Sequence, residues 1–353
     1  MEAKIKQLIK ASKKVILDCS LENGAIVAAN IDHEQYPKNV ANYRYVWPRD
    51  VSFTLYAASL LNIKDIQKKF LDWLLNRAED FSDTGIIYQR YATNGARDTE
   101  FGYQYQPDQA GALLWSLLAT NKKLNNQTEK VVKLLAKGLC KNWDKNHFFQ
   151  STHDLWEERY TIPQLKDNFG YTLAACSFGL GQTAQRLNKR KWLKVSQEMK
   201  QSLQNFKGNY YVRLWGQLPD KSIDASVLAL IWPFQVMEIN KKLLKSLELV
   251  EQKLLTPQGV KRYEHDQYDG RIANFTHWKK GAGGWPLITF WYIIALSKSG
   301  RKIEARKLFD EQINKFKNFI PEQVFDNELQ ISVSPLCWSH SMLVIASREL
   351  GYL

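Results

Sequence analysis

This sequence predicts an all-α protein folded as an (α/α)6 barrel, a ring of six helical hairpins. Three observations lead there. Apolar residues recur at helical spacing in twelve segments from one end of the chain to the other. The segments alternate between helices that are apolar on nearly every side and helices with one apolar face, the pattern of an inner layer wrapped by an outer one. No Pro/Ser-rich linker or low-complexity run divides the 353 residues, so a single barrel domain over 1–353 is expected.

The elements follow in order. Segment 2–19 is amphipathic but lacks the continuous apolar stretch of a secretion signal. Segments 50–62 and 63–80 form the next pair. Segment 107–123 begins "PDQAGALLWSLLAT", apolar all round as buried helices are, and 127–143, "TEKVVKLLAKGLCKNW", is its two-faced partner. The pairs 168–188 with 190–206 and 224–238 with 240–255 continue the series. Segment 284–299 is almost wholly apolar ("GGWPLITFWYIIALS"), 302–316 is two-faced ("KIEARKLFDEQINKF"), and 335–350 closes the chain. Gly300 and Gly351 stand where glycine ends helices. Strand-like alternation is confined to 85–91 and 208–215. A superhelical repeat array uses the same hairpins, but no self-similarity at a fixed period supports it.

The net charge of +13 raises the question of nucleic acid. The lysines fall mainly in amphipathic runs such as "NKKLLKSLELVEQKLL", with no basic tail, zinc-finger spacing or RNA-binding signature, so a solvated basic surface is expected and no nucleic-acid partner. Cys19, Cys140, Cys176 and Cys337 are scattered without a CxxC pair, which gives neither a zinc site nor a disulfide framework. No apolar run reaches the roughly 18 residues of a membrane span. A soluble cytoplasmic protein is the expectation, its oligomeric state left open.

The aromatic content is high, with 12 Trp, 16 Tyr and 16 Phe. Six polar-aromatic clusters lie between the predicted helices: "NYRYVWPRD" (42–50), "FGYQYQPDQ" (101–109), "HDLWEERY" (153–160), "KRYEHDQYDG" (261–270), "GAGGWP" (281–286) and "IPEQVFD" (320–326). Flat aromatic faces stack on pyranose rings while carboxylates and arginines hold hydroxyls, so this is the composition of a carbohydrate site. Hydrolysis of a glycosidic bond needs one carboxyl as acid and another as nucleophile or base. Glu157 follows Trp156, an indole able to desolvate a carboxyl, and Glu158 adds a like charge beside it; Glu322 stands in another Glu-containing loop, "PEQV". Composition alone does not select this pair. On the residues alone, Glu157 and Glu158 read rather as a helix-start charge pair, and Glu322 as a turn carboxylate.

In this order, "YRYVWPRD", "QPDQAGALLW", "DLWEER", "RYEHD", "GGWPLITFW", "PEQV" and "CWSHS" resemble glycoside hydrolase family 15, the family of glucoamylase, glucodextranase and certain prokaryotic trehalases. The resemblance covers about residues 20–345 and implies the (α/α)6 barrel independently. It makes Glu157 the general acid and Glu322 the general base of an inverting reaction, which needs the two carboxyls roughly 6.5–9.5 Å apart. It makes Arg49 and Asp50 the pair that grips the non-reducing-end glucose, with Arg262 and Trp156 holding the same sugar. Tyr43 is implied near the reacting centre and Trp338 beside the base; Tyr43, Tyr45 and Trp47 are expected to form the aromatic side of the pocket, and Trp285 belongs to the substrate-binding set. Asp108 and Glu158 are implied as supporting charges in the substrate-binding set. No metal or organic cofactor is needed; His153, His265, His277 and His340 show no metal-ligand spacing.

The expected activity is an exo-acting release of β-glucose from soluble α-glucosides such as maltooligosaccharides or isomaltooligosaccharides. An α,α-trehalase of the same family is the alternative. A catalytically silent barrel that binds sugar or regulates a partner is the alternative of a different class. No separate β-sandwich or starch-binding module is expected, so small soluble substrates suit the chain better than granular starch.

Overall fold

The computed structural model describes residues 2–98, 105–270 and 281–353. His277 and the first residues of the 101–109 cluster lie outside them. The helices are α1 Glu2–Asp18, α2 Pro48–Leu60, α3 Ile66–Asn76, the single turn α4 Phe81–Thr84, α5 Pro107–Thr120, α6 Asn126–Lys141, α7 Gly170–Arg186, α8 Arg190–Gln204, α9 Lys241–Leu254, α10 Pro286–Lys298, α11 Lys302–Ile313 and α12 Cys337–Glu349. A 3-10 helix, Ala225–Leu230, lies between α8 and α9.

Packing closes these elements into a ring. α2 lies against α5, α5 against α7, α7 against Ala225–Leu230, that segment against α10, α10 against α12, and α12 back against α2. Outside them, α1 packs on α12, α3 on α2, α6 on α5, α8 on α7, α9 on Ala225–Leu230 and α11 on α10. Six inner and six outer elements make the (α/α)6 barrel.

Side-chain chemistry sorts the two layers. Every residue of α10 from Pro286 to Ser297 is buried, and so is every residue of α5 from Pro107 to Leu118. The outer helices bury one stripe only, such as Leu243, Ser246, Leu247, Val250 and Leu254 of α9. Proline opens α2, α5 and α10, where its missing N–H costs nothing. Outer helices α6 and α9 are capped instead by Asn125 and Asn240, whose side chains accept from first-turn N–H groups. Glycine sets the closest contact: a Cβ on Gly111 of α5 would lie 2.4 Å from the backbone of Ala175, and one on Gly179 of α7 would lie 2.4 Å from Gly111 O. The two inner helices touch backbone to backbone.

Aromatic rings fill the interior of the ring. Phe53 of α2 has Trp338 at 5.1 Å, Trp115 at 5.2 Å, Trp291 at 5.8 Å and Trp232 at 6.3 Å between centroids, distances at which offset and edge-on ring pairs attract. Part of the tryptophan content is thus core, and only Trp338 of these five rings also reaches the pocket.

Two expectations need correction. Segment 224–238 is not an α-helix. Its inner-layer element is the 3-10 helix Ala225–Leu230, and Pro233, which has no N–H to donate, stops its continuation. The strand-like pieces scarcely pair: 85–91 makes isolated bridges at Tyr88 and Tyr91, and in 208–215 only Leu214–Trp215 pairs, with Asn168–Phe169. No helix among the described residues is long and apolar enough to cross a membrane.

Candidate active site

Side chains at the N-terminal ends of α2, α10 and α12 meet the loops between helices around one open pocket. It is a concave site open to solvent on one side. Tyr43, Trp47, Arg49, Asp50, Trp156, Glu157, Glu158, Arg262, Trp285, Glu322 and Trp338 all line it. The sequence had separated these residues by up to almost the whole chain.

Arg49, in the first turn of α2, is buried beneath the pocket. Its guanidinium lies 3.3 Å from Glu157, 3.5 Å from Asp50 and 3.6 Å from Asp108, and 5.5 Å from the Trp338 ring centroid. Three carboxylates therefore share one cation. Burial, aided by repulsion from Glu157, pushes the Asp50 carboxyl up to about 7, although Arg49 opposes the rise. The same balance raises Asp108 to about 6. Asp108 does not line the pocket. It is fully buried behind Arg49, so it supports the arginine instead of touching a ligand.

The hairpin 153–160 carries Glu157 and Glu158 at its tip. His153 bridges to Tyr160, and Asp154 Oδ1 accepts from the N–H groups of Glu158 at 2.8 Å and Arg159 at 3.0 Å, which closes the turn. Buried Arg213 grips Asp154 and reaches Asp224 at 3.3 Å. Asp224 in turn accepts from the Trp156 indole at 3.0 and 3.1 Å. Glu157 itself takes φ +63°, a left-handed conformation that costs a non-glycine residue about 1–3 kcal/mol. The surrounding bonds hold it there: Arg49 meets Oε1 and the Gln89 amide donates to Oε2.

Arg262 sits among four rings, 4.8 Å from Tyr268, 5.0 Å from Trp285, 5.3 Å from Tyr263 and 5.7 Å from Trp156. Asp266 holds it at 2.7 and 2.8 Å, and it donates to Glu158 at 2.6 Å. Tyr263 donates to the other oxygen of Glu158. Glu322 faces the same pocket from the segment before α12, where Tyr43 donates to its Oε1 at 2.6 Å. Burial and the adjacent Glu322 hold the Tyr43 hydroxyl far above its ordinary range, so it remains a donor.

Several lining residues escaped the sequence reading. Arg90 lines the pocket beneath Tyr45 and Trp47, 4.6 and 5.4 Å from their centroids, and Tyr268 meets Tyr43 hydroxyl to hydroxyl at 2.9 Å. Tyr45 itself packs behind the wall. Gln89 and Arg90 lie in the strand-like segment 85–91, and Tyr268 in the polar-aromatic cluster 261–270. The aromatic and basic content of both segments was the available signal.

The family model for glycosyl hydrolases family 15 matches residues 14–327. An isomaltose glucohydrolase of Kribbella flavida is 23% identical, covering 99% of this chain and 94% of its own. An uncharacterized glycosyl hydrolase of Methanocaldococcus jannaschii is 26% identical over 96% of this chain, which spans 55% of that relative's length. A glycosidase variant solved in complex with glucose superposes with a TM-score of 0.81 at 22% identity, covering all of this chain and 98% of its own. That likeness shows the shared fold.

Proposed function

The chain belongs to glycosyl hydrolases family 15, and from that premise we propose that it is an inverting, exo-acting glycoside hydrolase that releases β-glucose from soluble α-glucosides. The observation that carries this reading is the meeting of Glu157 and Glu322 in one pocket walled by Trp47, Trp156, Trp285 and Trp338. Glu157 gives its proton to the glycosidic oxygen as that bond breaks. A water attacks the anomeric carbon from the opposite face and yields its proton to Glu322, so inversion follows from a single displacement.

The remaining groups receive the sugar. Asp50 accepts from its hydroxyls, and Arg49 and Arg262 donate to them with charge assistance. Holding the ring against these groups converts attack by water into an effectively intramolecular step. The activity named for the Kribbella relative makes isomaltose the first substrate to try, beside maltooligosaccharides and trehalose.

The test is glucose release from isomaltose, maltose, maltotriose and trehalose by the wild-type chain and by Glu157→Gln. Turnover of at least one substrate, abolished in the variant, is expected. Glucose binding without turnover on any of them would instead favour the silent, sugar-binding barrel.

A further inference from the structure

Glu322 stands on a three-residue span, Ile320–Pro321–Glu322, between α11 and α12. Pro321 has no N–H, so up to the Cα of Glu322 this span offers its neighbours four groups: the Ile320 N–H and C=O, the Pro321 C=O and the Glu322 N–H. All four are engaged. Ile320 C=O accepts from Leu336 N–H at 3.0 Å, and Glu322 N–H donates to Val333 C=O at 2.8 Å. The other two bond to side chains in the first turn of α12. Ile320 N–H donates to His340 Nε2 at 3.0 Å, and Ser339 Oγ donates to Pro321 C=O at 2.8 Å.

A backbone N–H can only donate, so Nε2 of His340 is unprotonated and Nδ1 carries the proton. Nδ1 then donates to Ser12 Oγ of α1 at 2.9 Å. His340, Ser339 and Ser12 are all fully buried, and burial pushes the imidazole down to about 3. The imidazole stays neutral, and its acceptor persists across the working range of a hydrolase.

We infer that His340 and Ser339 are positioning residues for the base at Glu322: they fix the Phe319–Ile320 and Pro321–Glu322 peptide units while Tyr43 fixes its tip. This rests on the reading of Glu322 as the base. α12 therefore aims that carboxylate as well as lining the ring, and Ser12 ties the outer helix α1 to the same alignment.

The test compares His340→Leu, His340→Gln and Ser339→Ala on the best substrate, with Glu322→Gln alongside. Leucine removes the acceptor, whereas glutamine can bring an amide oxygen to the place of Nε2. His340→Leu and Ser339→Ala are expected to lower kcat about tenfold or more while KM and glucose affinity stay within about twofold, the mark of a displaced catalytic group. His340→Gln should recover most of kcat. If His340→Leu does not fold, Ser339→Ala decides. Wild-type kcat in folded, glucose-binding Ser339→Ala and His340→Leu, with Glu322→Gln inert, would overturn this inference alone. Activity retained in Glu322→Gln would overturn the reading of the base, and the inference with it.

Discussion

Tyr43 donates its hydroxyl to Oε1 of Glu322 across 2.6 Å, joining the loop before α2 to the loop before α12. The donor is buried and its proton is firmly held, so the bond has a fixed polarity. A hydrogen bond to a charged group contributes about 1.5–3 kcal/mol, so Tyr43→Phe is expected to lower kcat about 10- to 100-fold. KM should change little. Steady-state kinetics on the best substrate decide it, and an unchanged kcat would detach Tyr43 from the reacting centre.

Asp50 and Asp108 flank the same arginine, but only Asp50 reaches the pocket. Asp50→Asn should therefore cost at least about 100-fold in kcat/KM, because a charge-assisted contact to substrate is lost. Asp108→Asn should cost markedly less and act through stability as much as through rate. Equal kinetic losses at both positions would mean that Asp108 also meets the ligand.

Glucose affinity should depend on pH through Asp50. Hydroxyl donors favour its ionised form, and burial has raised its carboxyl to about 7. Binding should weaken as pH falls below about 7 and release protons in that range. Calorimetry in buffers of different ionisation enthalpy measures both effects. A flat affinity between pH 5.5 and 8.5 would contradict the assignment.

How far all this was legible in the sequence depended on range. Helices and their inner or outer station were readable because periodicity is local: α10 shows apolar residues on every side and α9 on one. The pocket's acids and aromatics were readable because they cluster in short loops. Asp154, Arg213 and Asp224 were not, because each looks like an ordinary surface charge until the hairpin at 153–160, which carries Asp154, is folded onto Arg213 and Asp224. Ala225–Leu230 misled because its apolar content resembles a buried helix, although Pro233 interrupts the segment 224–238. Asp108 follows the pattern of a site residue, yet only packing shows that Arg49 stands between it and the pocket.

The stability of the fold should fall on the acid side through His340. Its imidazole has an ordinary value of 6.5 when unfolded and about 3 when folded, with His33 adding repulsion to the effect of burial. Its contribution is complete above pH 6.5 and is lost as pH falls toward 3, at up to about 1.4 kcal/mol per pH unit. Asp50 and Asp108 act in the opposite sense: their raised values favour the folded state at low pH, and that contribution is lost as pH rises through about 7 and about 6. Denaturant unfolding of His340→Gln between pH 4 and 7 should show a shallower acid limb than wild type. Parallel limbs would remove His340 as a source of acid lability.

Glu157 and Glu322 are proposed to act together as acid and base in a single inverting displacement. Proton NMR of the anomeric region during early turnover tests it most directly, on isomaltose first, with Glu157→Gln and Glu322→Gln beside the wild-type chain. β-Glucose appearing before mutarotation, and lost in both variants, is the predicted result. α-Glucose as the first product, or undiminished turnover in either variant, would contradict the account.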